Sequence, residues 1–157
     1  MAEQFTGDFN TVGVWGGGQT SVRTFDVKSG AAASIAVGDL VVVDGSNAGY
    51  VAKAANGASS SSTWVGRAVT TSTDTASADG TVEVEYAPTG LIVRGTPTTV
   101  GNLAQAIKGT KVTLDVASGT QTVDENDTSS GILTVVGYDD TTGSESIDVV
   151  VPCTYVS

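Results

Sequence analysis

The chain has no histidine among its 157 residues, and that absence removes more chemistry than any other feature of the sequence. Proton transfer near neutral pH most often runs through imidazole, and Ser-His and Cys-His nucleophiles require it, so those catalytic arrangements are excluded. Cysteine is nearly missing as well. Cys153 stands alone, no intrachain disulfide can form, and the thiol reads as a small buried side chain near the end of the last strand. With no imidazole and one thiol, the usual nitrogen and sulfur ligands of zinc are lacking and zinc is not expected. Basic residues are scarce: seven face seventeen acidic ones, giving a net charge of −10, and after Lys111 there are none while eight carboxylates follow. Nucleic acid and anionic lipid are held by Lys and Arg displacing counterions, so no nucleic acid and no membrane is expected as a partner. The C-terminal half is expected to present a negative, solvated face. Apolar runs are only a few residues long, too short for a membrane-spanning helix. The N-terminus has neither a basic start nor an apolar run, so no signal peptide is expected.

What is present is valine, alanine, glycine and small hydroxyls. Apolar residues make up 39% and aromatics 6%, which predicts a thin, sheet-like core, and the length suits one domain that buries enough surface without staples. The densest apolar stretch is Val37-Gly38-Asp39-Leu40-Val41-Val42-Val43-Asp44-Gly45, a β-branched run between two turns. A weaker copy follows at Val100-Gly101-Asn102-Leu103. Behind the first come Trp64-Val65-Gly66-Arg67-Ala68-Val69 and Thr81-Val82-Glu83-Val84-Glu85-Tyr86; behind the second come Thr134-Val135-Val136-Gly137-Tyr138 and Ser146-Ile147-Asp148-Val149-Val150-Val151. The shared order reads as two related β units, residues 36–88 and 99–152, packed on one another. Strands are expected near residues 22–27, 40–43, 50–53, 64–70, 81–86, 90–94, 111–114, 120–123, 132–138 and 146–151. Spacing of roughly ten residues with turn chemistry between them predicts an all-β fold, a compact antiparallel β-barrel or β-sandwich of about 8–10 short strands. Residues 54–63 and 71–80, rich in Ser, Thr and Ala, are expected to be exposed, mobile loops. Residues 100–107 could be a short helix or, by the echo, a strand.

The first 22 residues differ from the rest. Phe5, Phe9 and Trp15 are set among polar residues and Gly16-Gly17-Gly18, large side chains that gain about 1.5–3 kcal/mol each when buried. They read as an extended N-terminal arm (residues 1–22) ahead of a β domain (residues 23–157), with the three aromatics anchoring it on a neighbouring subunit or other protein. A first strand lying on its own domain is the other reading. If the arm docks elsewhere, deleting residues 1–20 should abolish binding and leave melting largely unchanged.

Carboxylates are the remaining source of chemistry. Glu83 and Glu85 share one strand face opposite Val82, Val84 and Tyr86, which predicts a solvated face and no catalytic pair. Asp124-Glu125-Asn126-Asp127 offers oxygen ligands on a loop but lacks the spacing of a calcium site. Gly16-Gly17-Gly18-Gln19-Thr20 lacks the lysine of a phosphate-binding loop and reads as a hinge. No catalytic, metal or cofactor site is expected, and the chain is not expected to be an enzyme.

Phe25-Asp26-Val27, Ile35-Ala36-Val37-Gly38-Asp39-Leu40-Val41, Val65-Gly66-Arg67-Ala68, Gly80-Thr81-Val82-Glu83-Val84 and Val135-Val136-Gly137-Tyr138, in that order, resemble the capsid decoration, or cement, proteins of tailed bacteriophages over most of residues 23–152. The resemblance implies a compact β-barrel or sandwich, usually a homotrimer. It would sit on the outer capsid surface at three-fold and quasi-three-fold positions and bridge major capsid protein subunits, with no reaction and no cofactor. The alternatives are a carbohydrate-binding or adhesin-type β module, in which Trp64, Tyr50 or Tyr138 would stack on sugar rings, and a tail or fibre subunit.

Overall fold

A computed structural model describes residues 9–58, 62–99, 101, 103–129 and 131–155. It is all-β, with eleven strands among the described residues: β1 (Asn10–Val14), β2 (Ser21–Val27), β3 (Leu40–Val43), β4 (Val51–Lys53), β5 (Trp64–Ala68), β6 (Gly80–Tyr86), β7 (Leu91–Gly95), β8 (Lys111–Ala117), β9 (Thr120–Asp124), β10 (Leu133–Asp139) and β11 (Ser146–Val151). Ten of these lie where period and turn residues predicted them. β1 is the addition.

The strands form two lobes. β2 to β6 close a barrel in the order β2-β4-β3-β5-β6, and the rest form a curled sheet ordered β1-β7-β11-β10-β8-β9. The run Leu40-Val41-Val42-Val43 is uninterrupted because both of its faces are buried. Val41 and Val43 point into the barrel with Val27, Ile35, Val65, Val82 and Val84. Leu40 and Val42 point outward with Trp64, into a larger core shared with Leu91, Val93, Leu114, Leu133, Val135, Ile147 and Val149 of the second lobe. One strand face therefore serves each core, and the outer wall of the barrel is the floor of the second lobe.

The lobes share a strand order. In the first, β2 pairs antiparallel with β6, β6 with β5, β5 with β3 and β3 with β4; in the second the same ladder runs β7, β11, β10, β8 and β9. Each lobe is tied by one parallel bridge, Val27 to Val51 in the first and Pro97 to Val123 in the second. Common rungs set the register. Ala68 faces Val84 as Val135 faces Val149, so Thr81–Tyr86 matches Ser146–Val151 as the sequence echo had it. Leu40 faces Arg67 as Lys111 faces Thr134, so the counterpart of Leu40 is Lys111, not Leu103. The unit boundaries at 36 and 99 each omit the first strand of a lobe. Of residues 100–107, Gln105–Ile107 form a single 3₁₀ turn, neither α-helix nor strand, and residues 100 and 102 lie outside the described residues.

Two expectations about loops are corrected in part: residues 55–57, 71, 73 and 75–79 are exposed as expected, but both segments are anchored through buried positions. Residues 54–58 are part of the structure between the lobes: Ala54 and Ala58 are buried in the shared core, the Gly57 amide donates to the Leu114 carbonyl at 2.8 Å, and the Val116 amide donates to Asn56 Oδ1 at 2.9 Å. Residues 59–61 lie outside the described residues. Residues 71–80 cap the barrel. The buried Asp74 carboxylate accepts the Ser34 amide and the Ser34 and Ser72 hydroxyls, and Ser72 Oγ accepts the Ile35 amide. Short polar side chains that look mobile in sequence here close hydrogen bonds on neighbouring backbone.

These anchors predict how acid acts. Asp79 is held at about 2, against an ordinary 3.8, first by the Ser29 amide and then by the Tyr50 hydroxyl and Lys28. Burial opposes ionisation of Asp74, yet the hydroxyls of Ser72 and Ser34 and the Ser34 amide outweigh it and leave the pKa below 3.8. A folded-state pKa below the unfolded one means that the anion is favoured by folding. That stabilisation is complete above the unfolded value and is lost as pH falls from about 4 towards about 2. Melting temperature should hold down to about pH 4.5 and drop below it, with a shallower drop in Asp79→Asn and Asp74→Asn. Parallel melting curves for wild type and both variants across that window would show that these carboxylates do not carry the acid limb.

Candidate protein-contact surface

The predicted arm divides on folding. Phe5 lies outside the described residues. Phe9 is fully buried, in the shared core, and its ring stands where Gly95 lacks a side chain: a Cβ at Gly95 would overlap the ring. Phe9 is therefore a core residue of its own chain, which corrects its assignment as an anchor on a neighbour. β1 follows as a strand of the second lobe, with Asn10 opposite Arg94, Thr11 opposite Val93 and Val14 opposite Leu91. The arm boundary at residue 22 fails for the same reason, since residues 9–14 bury an aromatic and complete a ladder.

β1 is also clamped to the first lobe. Arg67, on the outer face of β5, donates Nε to the Phe9 carbonyl at 2.6 Å and Nη1 to Glu85 Oε1 at 3.1 Å, and the Thr11 hydroxyl donates to the same carboxylate oxygen. Glu85 is thus no solvated twin of the exposed Glu83: it is an ion-pair partner, with only 12% of its side chain exposed. In sequence the two look identical because both sit on the outer face of β6. Only the strand laid across that face distinguishes them.

Trp15 keeps the exposure expected of a contact residue. Its amide donates to the Gly90 carbonyl at 2.9 Å, and the chain then turns through Gly16, Gly17 and Gly18 at φ of 84°, 85° and 104°, a backbone that favours glycine. Gly17 N–H donates back to the Val14 carbonyl. The segment expected to be a hinge is a hydrogen-bonded turn that holds a 54% exposed indole out from the body. Val12 of β1 (45% exposed) and Val22 of β2 (53%) are also bare. Glu85 links them, because it receives Thr11, the neighbour of Val12, and faces Val22 across the β2–β6 ladder. Val22 and the neighbour of Val12 thus both meet Glu85, and Trp15 stands just past the end of β1, on the connection to β2.

The aromatics considered for sugar stacking are engaged elsewhere. Trp64 is fully buried. The Tyr50 hydroxyl donates to Asp79 Oδ2 at 2.7 Å and its ring lies under Lys28, while Tyr138 packs on the shared core beneath Lys108. The carboxylates of residues 124–127 are turned on local donors: Asp124 takes the Asn126 amide, Glu125 the Thr98 and Thr99 amides, and Asp127 the Ser129 amide and Thr113 hydroxyl. Cys153 is buried at the end of β11, and burial raises its pKa. A cleft of about 520 Å³ beside β3 and β4 is lined by Asp44, Lys53 and Asn56, which bind the Asn47 side chain, Asp39 and the Val116 amide respectively. Among the described residues, no three Cys, Asp or Glu side chains gather as metal ligands.

The chain matches no family model, no curated protein and no solved structure.

Proposed function

We propose that this chain is a structural virion protein, a decoration or cement protein on the outer surface of a tailed-phage head that stabilises contacts between major capsid protein subunits. The observation that carries the reading is Trp15: a large exposed apolar side chain held by a backbone hydrogen bond and a triple-glycine turn, just past the strand that bears exposed Val12. Aromatic anchors of this kind supply much of the affinity where proteins meet. The rest of the body suits the role. Most of the polar side chains described above brace one part of the chain against another, which stiffens a two-lobed block, and a net charge of −10 keeps free copies soluble at high number. Binding as a homotrimer over repeated lattice positions would let modest single contacts add up.

Shells assembled without the protein provide the test. Purified chain should bind them saturably, and Trp15→Ala should weaken binding by about 30-fold, the share of a 2 kcal/mol anchor. Because Trp15 is exposed, the same variant should change stability by no more than about 1 kcal/mol. Undiminished binding by the variant would move the contact elsewhere, and no binding by the native chain would end the capsid reading. Retention on a glycan array by isolated monomer would instead favour the carbohydrate-binding module, and binding to tails but not heads would favour a tail or fibre subunit.

A further inference from the structure

We propose that Asn56-Gly57 is a self-modification site that the docking of the two lobes holds in check: the pair converts to aspartate and isoaspartate through a succinimide, at a rate set by how often residues 54–58 leave β8. It is the single Asn-Gly pair of the chain. Asn10, Asn47, Asn102 and Asn126 precede Thr, Ala, Leu and Asp, whose side chains crowd the ring closure that glycine leaves open. The turn itself demands the glycine. Ala54 and Ala58 are buried, the Ala58 amide donates to the Ala55 carbonyl at 3.1 Å, and Asn56 and Gly57 are the exposed corner residues of that turn. Gly57 has a φ of 70°, a left-handed value that a tight turn gives to glycine.

The reaction needs only hydroxide and water. Hydroxide removes the Gly57 amide proton, and the nitrogen then attacks Asn56 Cγ and forms the new N–C bond of the succinimide. The side-chain nitrogen leaves as ammonia after taking a proton from water, which restores the hydroxide. A second water opens one of the two ring carbonyls, giving aspartate or isoaspartate. Cyclisation thus consumes the Gly57 N–H and requires the Asn56 side chain to fold back on its neighbour.

Both reacting groups are held by β8. In the β8–β9 ladder Leu114 faces Val123 and Val116 faces Gln121, and alternate residues of such a ladder turn their backbone groups away from the partner strand. Those groups meet the turn. The Gly57 amide donates to the Leu114 carbonyl at 2.8 Å, and Asn56 Oδ1 accepts the Val116 amide at 2.9 Å. The proton that hydroxide must take is therefore committed to a carbonyl, and the side chain that must be attacked is tied to a strand. β4, which leads into the turn, belongs to the first lobe and β8 to the second, so both bonds cross the lobe junction. Isoaspartate runs the main chain through the former side-chain carbon and adds an atom between residue 56 and Gly57. The two bonds then no longer match the spacing of Leu114 and Val116, and a reacted turn docks poorly.

The full chain, folded and in denaturing urea, is incubated in mildly alkaline buffer, and its proteolytic peptides are followed by mass spectrometry for the gain that comes from exchanging ammonia for water. The unfolded chain should gain first at Asn56. The folded chain should gain at the same residue at least about tenfold more slowly, because reaction passes only through the open population. Urea below the unfolding transition should raise the folded rate, and Asn56→Gln, whose longer side chain closes a ring poorly, should show no gain at that residue. The isoaspartate form, resolved by chromatography, should unfold at a lower urea midpoint. Equal rates in the folded and unfolded chain, a first gain at another asparagine in the unfolded chain, a folded rate indifferent to urea up to the transition, or an unchanged midpoint for the isoaspartate form would each overturn the proposal. No shell enters these measurements, so their failure leaves the capsid reading standing.

Discussion

Gln121→Leu is expected to lose about 2–5 kcal/mol of stability, enough to leave a domain of ordinary stability marginal. Gln121 belongs to β9 of the second lobe, is fully buried, and reaches into the first lobe between β3 and β4. Its Oε1 accepts the Leu40 amide at 2.7 Å, and its Nε2 donates to the Leu40 carbonyl at 3.1 Å and the Ala54 carbonyl at 3.0 Å. One rung beyond the Val41–Lys53 pair, the Ala54 amide donates directly to the Leu40 carbonyl at 2.9 Å, and the primary amide bridges the other pair, the Leu40 amide and the Ala54 carbonyl. Leucine has similar volume and no polar atom. The Leu40 carbonyl keeps the Ala54 amide, but the Leu40 amide and Ala54 carbonyl lose the Gln121 partner in a dry site, at about 1–3 kcal/mol each. Urea unfolding should show the loss as a lower midpoint. A cost under about 1 kcal/mol would mean that apolar contact alone joins the lobes. Lys53 braces the same junction, paired with buried Asp39 at 3.3 Å and donating to the Gly119 carbonyl of the β8–β9 turn.

Phe9→Ala should cost about 3–5 kcal/mol, the ordinary loss for a fully buried phenylalanine. The effect is the opposite of that of an arm residue, whose truncation would leave the melt unmoved. The ring fills the space over Gly95, and the Phe9 carbonyl and amide are taken by Arg67 and Gly38, so its removal leaves a cavity at the point where β1 enters. By the same reasoning, deleting residues 1–20 removes a core aromatic and a whole strand and should destabilise the fold, whereas deleting residues 1–8 should not. Thermal melts of the two truncations and the point variant decide this. Equal melting temperatures for all three and the native chain would place Phe9 outside the core.

Much of the strand plan is legible in the chain because strand signals are local. Alternation in Thr81–Tyr86, the β-branched run at Leu40–Val43 and the Asp-Gly and Val-Gly turns each specify geometry within a few residues. β1 stays one of two readings in sequence because Asn10-Thr11-Val12-Gly13-Val14 carries a glycine at a bulge in its ladder and shows no clean period. The exposure of residues 55–57 and of most of 71–80 is legible in sequence, but their anchoring is not, because it comes from partners 30 or more residues away, Leu114 and Val116 for the first loop and Ser34 and Ile35 for the second. The candidate surface was half legible. Trp15 could be read as an exposed aromatic on a glycine turn, but nothing near Phe9 in sequence distinguishes its fate from that of Trp15.

Taken alone, the amino-acid sequence determined the all-β class, the positions of ten strands, the net negative charge and the lack of imidazole chemistry, because composition and short-range periodicity carry these. The tertiary structure alone decided which polar side chains are committed and which apolar ones are bare. Gln121 and Glu125 are short polar residues on one lobe like any others until a second strand or loop is brought to them, and Glu85 differs from Glu83 only once β1 crosses its face. Burial and hydrogen bonding are set by what lies opposite in space, which for Gln121 and Glu85 is a strand of the other lobe.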